Sequence, residues 1–345
     1  MILHCEPLGE AVDALRAGSM TQTAYIQRLC DRIDDVEPIV HALIPEPDRR
    51  GRLLRSTLEV ESAEPSPDGL PLTGVPIGVK DVFHVAGFET AAGTAVPPDL
   101  FTGPEAPVVR RFCEAGAVVL GKTATTEFAG HAPAPTRNPQ NPAHTPGGSS
   151  SGSAAAVASG LCPLALGTQT GGSVIRPAAF CGVVGFVPTP ARIPTDGIVP
   201  RSPSVDAVGL FTQDVAGMAI ASAVACTDWT PVEPQDTPTL GVPEDVIERA
   251  SPDAAAVFQA QVDVICDAGF AVHRGDAFAD LRAVDEWHRT LTRGEVARVH
   301  EWFDDHRAHY REPTVDAIMD GLDVADAELE AAREKRSTVR STVHN

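Results

Sequence analysis

At 345 residues and 43% hydrophobic content, the chain is long enough to bury a large core as one large or two ordinary domains. Its formal charge of −20, from 47 acidic against 27 basic residues, argues against a nucleic-acid or anionic-membrane surface. Aromatic residues, at 5%, are too few for a stacking platform that would hold bases or sugars.

The N-terminus, MILHCEPLGEAVD, lacks a basic start followed by an apolar stretch, and no run is long and apolar enough to span a membrane. The expected location is the cytoplasm. Seven scattered cysteines without a CxxC pair read mostly as buried, reduced thiols. The only lysines are Lys80, Lys122 and Lys335. Such a lysine-poor acidic chain suits a salt-rich cytoplasm or a high-GC coding bias.

Residues 8–44 read as two helices. The first ends at Gly18; the second is capped by Thr21 or Thr23 and stops before Pro38. The polar, proline-rich residues 45–71 read as a surface loop or loose connection. VPIGVKDVF then reads as a buried strand carrying Lys80. A buried amine loses its charge more easily, so Lys80 is a candidate base near neutral pH; the alternative is an edge lysine reaching to water. Asp81 points to the other face of that strand and is not its partner.

Residues 105–124 read as helix, strand and turn. Gly116–Thr123 matches a phosphate-loop pattern in form, but its middle, AVVL, is strand-like and cannot cradle phosphate. The stretch 131–146, with His131 and His144, reads as a structureless approach to a glycine-serine loop. Two such loops follow: Gly147–Gly152 (GGSSSG), ahead of a small-residue helix, and Thr170–Ser173 (TGGS), after an apolar strand at Leu161–Gln169. In the second loop, two glycines let the chain turn and expose its amides, and Ser173 lies where a helix begins. A serine oxygen there can attack a carbonyl while the amides of Thr170, Gly171, Gly172 and Ser173 hold the oxyanion; one such donor is typically worth roughly 3–4 kcal/mol. The first loop also fits GxSxG centred on Ser150, the elbow of another hydrolase class, although NPAHTP before it is not the strand an elbow needs.

These motifs resemble the amidase signature family, which hydrolyses amides with a serine, a second serine preceded by a cis peptide, and a lysine. GVKD matches the lysine motif at Lys80; GGSSSGSAAAV places the cis-peptide serine at Ser149; GTQTGGSVIRPAA places the nucleophile at Ser173. The wording around these residues, with GKTATTEFA upstream, looks most like the malonamidase branch. The resemblance implies a single amidase-signature domain over 1–345, an α/β fold with a mixed central sheet covered by helices. Its segments are N-terminal helices and loop (1–70), a catalytic core (71–215) and an αβ and helical segment (216–345). It also implies that Thr125 and Thr126 line the site.

By the same resemblance no metal or organic cofactor is needed, and the partner is a small-molecule amide. A homodimer or a complementing chain is compatible with it. Arg176, one turn after Ser173, is a candidate for binding a substrate carboxylate; the alternative is a structural pair with Asp196 or Asp206. The family's last strands are not evident here, where the chain runs into KRSTVRSTVHN, so the fold is expected to be truncated at the C-terminus. Between Thr239 and Asp276 the pattern alternates strand, helix, strand, and long helices follow. His306 and His309, one turn apart, read as a solvated face, with metal binding the alternative. Two further functional readings stay open: the amidase-like subunit of a tRNA-dependent amidotransferase, and an inactive truncated family member.

Overall fold

The computed structural model describes residues 2–62, 69–231 and 237–343. It divides into two compact units: Met1–Trp229 with Glu295–Asp320, and Thr230–Gly294 with Gly321–Asn345. The elements run α1 (Leu8–Arg16), α2 (Gln22–Val40), α3 (Arg49–Ser62), β1 (Pro76–Lys80), α4 (Pro107–Glu114), β2 (Val118–Thr123), α5 (Ser151–Ala158), β3 (Leu164–Gln169), α6 (Ile175–Cys181), β4 (Val184–Phe186), β5 (Ala207–Thr212) and α7 (Val215–Ala225). They continue with β6 (Leu240–Pro243), α8 (Glu244–Ile247), α9 (Pro252–Asp267), β7 (Val272–Gly275), α10 (Leu281–Val299), α11 (Phe303–His306), α12 (Glu312–Leu322) and α13 (Asp326–Val343).

The first unit holds a mixed five-stranded sheet in the order β2-β1-β3-β5-β4. β1 runs parallel to β2 and β3, while β5 is antiparallel to β3 and β4. Period-two alternation builds two faces. Ile77, Val79, Leu164, Leu166, Val208 and Leu210 turn one way, into a core with Val108, Val109 and Met218 from the helices. Val118, Leu120, Ala165 and Phe211 turn the other way, against Ile26 and Ile33 of α2 and the alanines of α5. Covered on both faces, β1 and β3 read as continuous apolar runs. The mixed α/β architecture expected from the sequence is the one observed.

The second unit contains the parallel pair β6 and β7, with α9 as the crossover. Ser251 caps α9, its hydroxyl oxygen accepting from the Ala254 amide. On the helical part of this unit, Lys335 Nζ lies 5.0 Å from the centre of the Trp287 ring.

Two local expectations need correction. Thr21 is the cap of α2, but the helix passes through Pro38 and ends at His41 in a left-handed conformation. A proline in the last turn removes one intrahelical bond, and buried Val36 and Val40 hold the turn in the core. Residues 49–62, expected as a loop, form α3. Leu53 is fully buried, and Arg52 donates to the carbonyls of Val119 and Leu120 at 2.8 Å, tying α3 to β2. Part of the expected loop, residues 63–68, lies outside the described residues. The tail after Lys335 continues α13 as far as Val343.

Of the cysteines, Cys30, Cys162, Cys181 and Cys226 are buried thiols, while Cys5, Cys113 and Cys266 are exposed. No helix among the described residues is long and apolar enough to cross a membrane.

α5 enters the core closely. A Cβ on Gly152 would lie 2.2 Å from the Ala42 carbonyl oxygen and 2.3 Å from the Ala124 amide nitrogen. Both are backbone atoms, which cannot swing away. Gly152→Ala should therefore cost about 1–3 kcal/mol or more of overpacking strain, seen as a lower urea midpoint at unchanged slope.

Candidate active site

The parallel strands β1 and β3 carry the site at their carboxyl ends. Lys80, the last residue of β1, is fully buried. Its Nζ donates to Ser149 Oγ at 2.8 Å and to Thr168 Oγ1 at 2.7 Å. Loss of hydration pushes the Lys80 pKa down to about 7, so a large share of the amine is neutral at physiological pH.

Ser149 precedes α5 and follows a cis peptide bond at Gly148–Ser149. Its carbonyl accepts from the Thr126 amide at 3.2 Å. Thr126 therefore borders the site, whereas Thr125 lines a separate cavity with His41 and Ile44. The neighbouring serines hold the loop. Ser150 is fully buried and its Oγ donates to the Thr168 carbonyl at 3.1 Å; Ser151 Oγ donates to the Gly147 carbonyl at 2.8 Å. No strand leads into Ser150, and its hydroxyl is committed to the backbone, so the elbow reading fails.

Ser173 lies in the turn between β3 and α6. The Ser150 amide donates to the Ser173 carbonyl at 3.3 Å, joining the two loops through backbone. The Ser173 and Ser149 hydroxyls are not bonded to each other among the described residues. The expectation that Ser173 opens the helix needs correction. α6 begins at Ile175, and the amides of Val174 and Ile175 donate to Gln169 Oε1 at 2.9 and 3.1 Å. Gln169 thus takes the helix-terminal donors. The amides of Thr170, Gly171, Gly172 and Ser173 make no hydrogen bond among the described residues, so the donors left over belong to the loop. Gly172, at φ 123°, has a backbone that favours glycine.

The other expected partners fall differently. Arg176 meets neither Asp196 nor Asp206: its Nε and Nη2 donate to the Gly148 carbonyl at 3.1 and 2.8 Å, holding the peptide before Ser149. Asp206 accepts from Thr170 Oγ1 at 2.6 Å and from the amides of Arg201 and Ser202 at 2.8 and 2.9 Å.

The strand Gly116–Thr123 carries no phosphate loop. Lys122 instead forms a buried ion pair with Asp81 Oδ1 at 2.8 Å. Sequence reading missed this pair. It also missed Glu127, which is buried and accepts from Thr94 Oγ1 (2.9 Å), Thr314 Oγ1 (2.5 Å) and the Arg311 amide (3.1 Å), clasping residues 311–314 to the core. Beside it, Phe128 stacks on Tyr310, and buried His300 contacts Tyr310 Oη at 3.1 Å. Among the described residues no group of three His, Cys, Asp or Glu side chains could hold a metal; His306 and His309 have ring centres 6.1 Å apart.

The amidase family's profile matches residues 24–275. The chain belongs to the amidase family. Among its curated relatives is a glutamyl-tRNA(Gln) amidotransferase subunit from Synechococcus sp. (strain RCC307), 38% identical over 244 residues, covering 69% of this chain and 49% of that protein. The corresponding subunit from Roseiflexus sp. (strain RS-1) is 34% identical over 294 residues, covering 79% and 60%. The chain spans about half the length of the first of these relatives.

Among solved structures, a crystal structure of an amidase superposes with a TM-score of 0.88 at 33% identity, covering 97% of this chain and 78% of that one. The peptide amidase of Stenotrophomonas maltophilia gives 0.77 at 26% identity, covering 95% and 78%. The amidase chemistry that the motifs implied thus has support at the level of the family.

Proposed function

We propose that this chain cleaves an amide C–N bond with Ser173 as nucleophile, Ser149 as proton relay and Lys80 as base. The observation that carries the reading is the contact of 2.8 Å between a fully buried lysine amine and Ser149 Oγ. With the amine neutral, its lone pair takes the Ser149 proton along that contact, and Ser149 takes the Ser173 proton as Ser173 Oγ bonds to the substrate carbonyl carbon. Negative charge develops on the carbonyl oxygen, where the amides of Thr170 to Ser173 act as donors. The relay then protonates the leaving nitrogen, the C–N bond breaks, and water attacks the acyl-enzyme in turn, with Lys80 and Ser149 again moving the proton. Arg176 supports the geometry through Gly148 rather than through an acid.

Two settings suit this chemistry. The relatives named as amidotransferase subunits, at 34–41% identity, favour a chain that passes amide nitrogen onward within an assembly, where a complementing chain is a natural partner. The structural neighbours named amidase favour hydrolysis of a small amide by the chain itself.

Labelling with a fluorophosphonate serine probe tests the shared chemistry. Wild type should label, and Ser173→Ala should lose the signal while melting at a similar temperature. Equal labelling of the variant would remove Ser173 from the role. Ammonia release assayed with and without co-purified chains separates the settings: release by the isolated chain favours the small-amide reading, and release only with a co-purified chain favours the assembly.

A further inference from the structure

Arg201 carries a charge that the reaction above leaves unused. Its backbone amide donates to Asp206, yet its guanidinium makes no ion pair or hydrogen bond among the described residues. The other arginines near the site are occupied. Arg176 donates to the Gly148 carbonyl, and Arg311 donates to the carbonyls of Ala132 and Pro133. Asp206, the acid nearest in sequence, accepts from Thr170 Oγ1 and two amides and forms no ion pair with Arg201. Asp206 attracts Arg201 through space, but its oxygens are spent on Thr170 and the two amides, so the buried guanidinium N–H groups are left unbonded, a cost that an arriving anion would relieve.

Its position is tied to the candidate active site. A Cβ on Gly130 would come within 2.7 Å of Arg201 Nη1, so the guanidinium lies directly against the Gly130 backbone. The Gly130 carbonyl accepts from Thr126 Oγ1 at 2.8 Å, and the Thr126 amide donates to the Ser149 carbonyl. Arg201 also lines a cavity of about 110 Å³ together with Thr168, Thr170 and Asp206. Thr168 is bonded to Lys80, and Thr170 begins the loop of free amides. The cavity is well below the roughly 300–1,000 Å³ of pockets for drug-sized ligands, so it admits a small polar group. Burial is the main cause lowering the Lys80 and His131 pKa values, and the charge of Arg201 lowers both further, which agrees with its place beside the site.

We propose that Arg201 is the specificity-determining residue that receives a carboxylate carried by a short amide substrate. The inference rests on the amide-cleaving role of Ser173 and assigns the anion to Arg201 instead of Arg176. The planar fork of the guanidinium can bind a carboxylate through two parallel N–H···O bonds, a geometry a lysine does not reproduce.

The test compares succinamate with butyramide, which differ chiefly in the terminal carboxylate. In wild type and Arg201→Gln, the ratio of kcat/KM for succinamate to that for butyramide is measured. The expected result is a fall of at least tenfold in that ratio, partly restored in Arg201→Lys. An unchanged ratio, with both amides still hydrolysed, overturns the inference and leaves the hydrolase reading standing. A second measurement does not depend on turnover: calorimetric titration of succinamate into Ser173→Ala and into Ser173→Ala/Arg201→Gln, each first shown to melt cooperatively. Binding weakened at least tenfold by the second substitution supports the site even if neither amide is hydrolysed, in which case the hydrolase reading alone fails. Equal binding in the two proteins refutes it.

Discussion

Lys80→Met should lower kcat on any amide substrate by roughly 10²–10⁴-fold, the range for loss of a positioned base. The same change should alter how stability responds to pH. In the folded chain burial holds the Lys80 pKa at about 7, whereas in the unfolded chain it lies near the ordinary value of about 10.4. Between those values the unfolded state binds the extra proton. This group's penalty on the fold is therefore full below pH 7 and fades as pH rises toward 10. Relative to Lys80→Met, wild type should gain about 3 kcal/mol between pH 7 and pH 10 by linkage.

The difference between the two proteins is the quantity to follow, because other groups titrate in both. Its absolute sign at pH 7 is set by opposed effects. Methionine removes the buried amine, but it also strips Ser149 Oγ and Thr168 Oγ1 of a donor, at about 1–3 kcal/mol for each group left unsatisfied. Urea titrations at pH 7, 8, 9 and 10 give the slope directly, and parallel stability curves would refute the buried, neutral amine. In wild type kcat/KM should rise through about pH 7 as the amine loses its proton.

The second large effect is expected at the Asp81–Lys122 pair, whose side chains are 1% and 3% exposed. Lys122→Met leaves a carboxylate in the core without its counter-ion, at roughly 3–5 kcal/mol. Asp81 Oδ2 already has no hydrogen-bond partner among the described residues, so little is left to absorb the charge. Burial already raises the Asp81 pKa, and the lone acid can shed its charge by taking a proton. The loss should thus shrink as pH falls toward 5, the same sign of slope as for Lys80 but in a lower pH window. Asp81→Asn combined with Lys122→Met should recover most of the stability, and a double-mutant cycle by urea unfolding measures the coupling. Additive losses would show that the pair is not coupled.

What could be read from the sequence was what depends on local chemistry. The apolar flanks in GVKD and the glycines of TGGS marked Lys80 and Ser173 as candidates, whereas Ser149 and its cis peptide came from the resemblance of GGSSSG to the amidase signature. The contact between Lys80 and Ser149, and the joining of the two loops, follow from β1 and β3 lying side by side. Contacts set by distant packing left no local mark. Nothing around Asp81 names Lys122 as its partner; that follows from the parallel register of β1 and β2, which aligns Lys80 with Thr123.

Glu127 likewise meets Thr314 only through tertiary packing. The strand before Ser173 begins at Leu164 instead of Leu161, since Pro163 offers no amide for a ladder. Gln169 was read only as the end of that strand, although its side chain takes the helix-terminal amides next to those assigned to catalysis. For Arg176 the resemblance offers a substrate carboxylate and the sequence an acid such as Asp196 or Asp206, while the Gly148 carbonyl that it grips leaves no mark in the sequence.

The four donors from Thr170 to Ser173 that make no hydrogen bond among the described residues are main-chain N–H groups, and this bears on how the chain can diverge. Exchanging one side chain for another leaves an N–H in place, so random substitution deletes such a donor only by introducing proline. Thr170 can therefore drift as a donor while it is constrained through its hydroxyl on Asp206. The genetic weak points of the loop are the residues that aim the amides: Gly172, whose φ of 123° penalises any side chain, and Gln169, whose one oxygen organises the turn into α6. A lineage that keeps those two and changes the cavity-lining residues would retain the hydrogen-bond donors and alter which amide is presented to them.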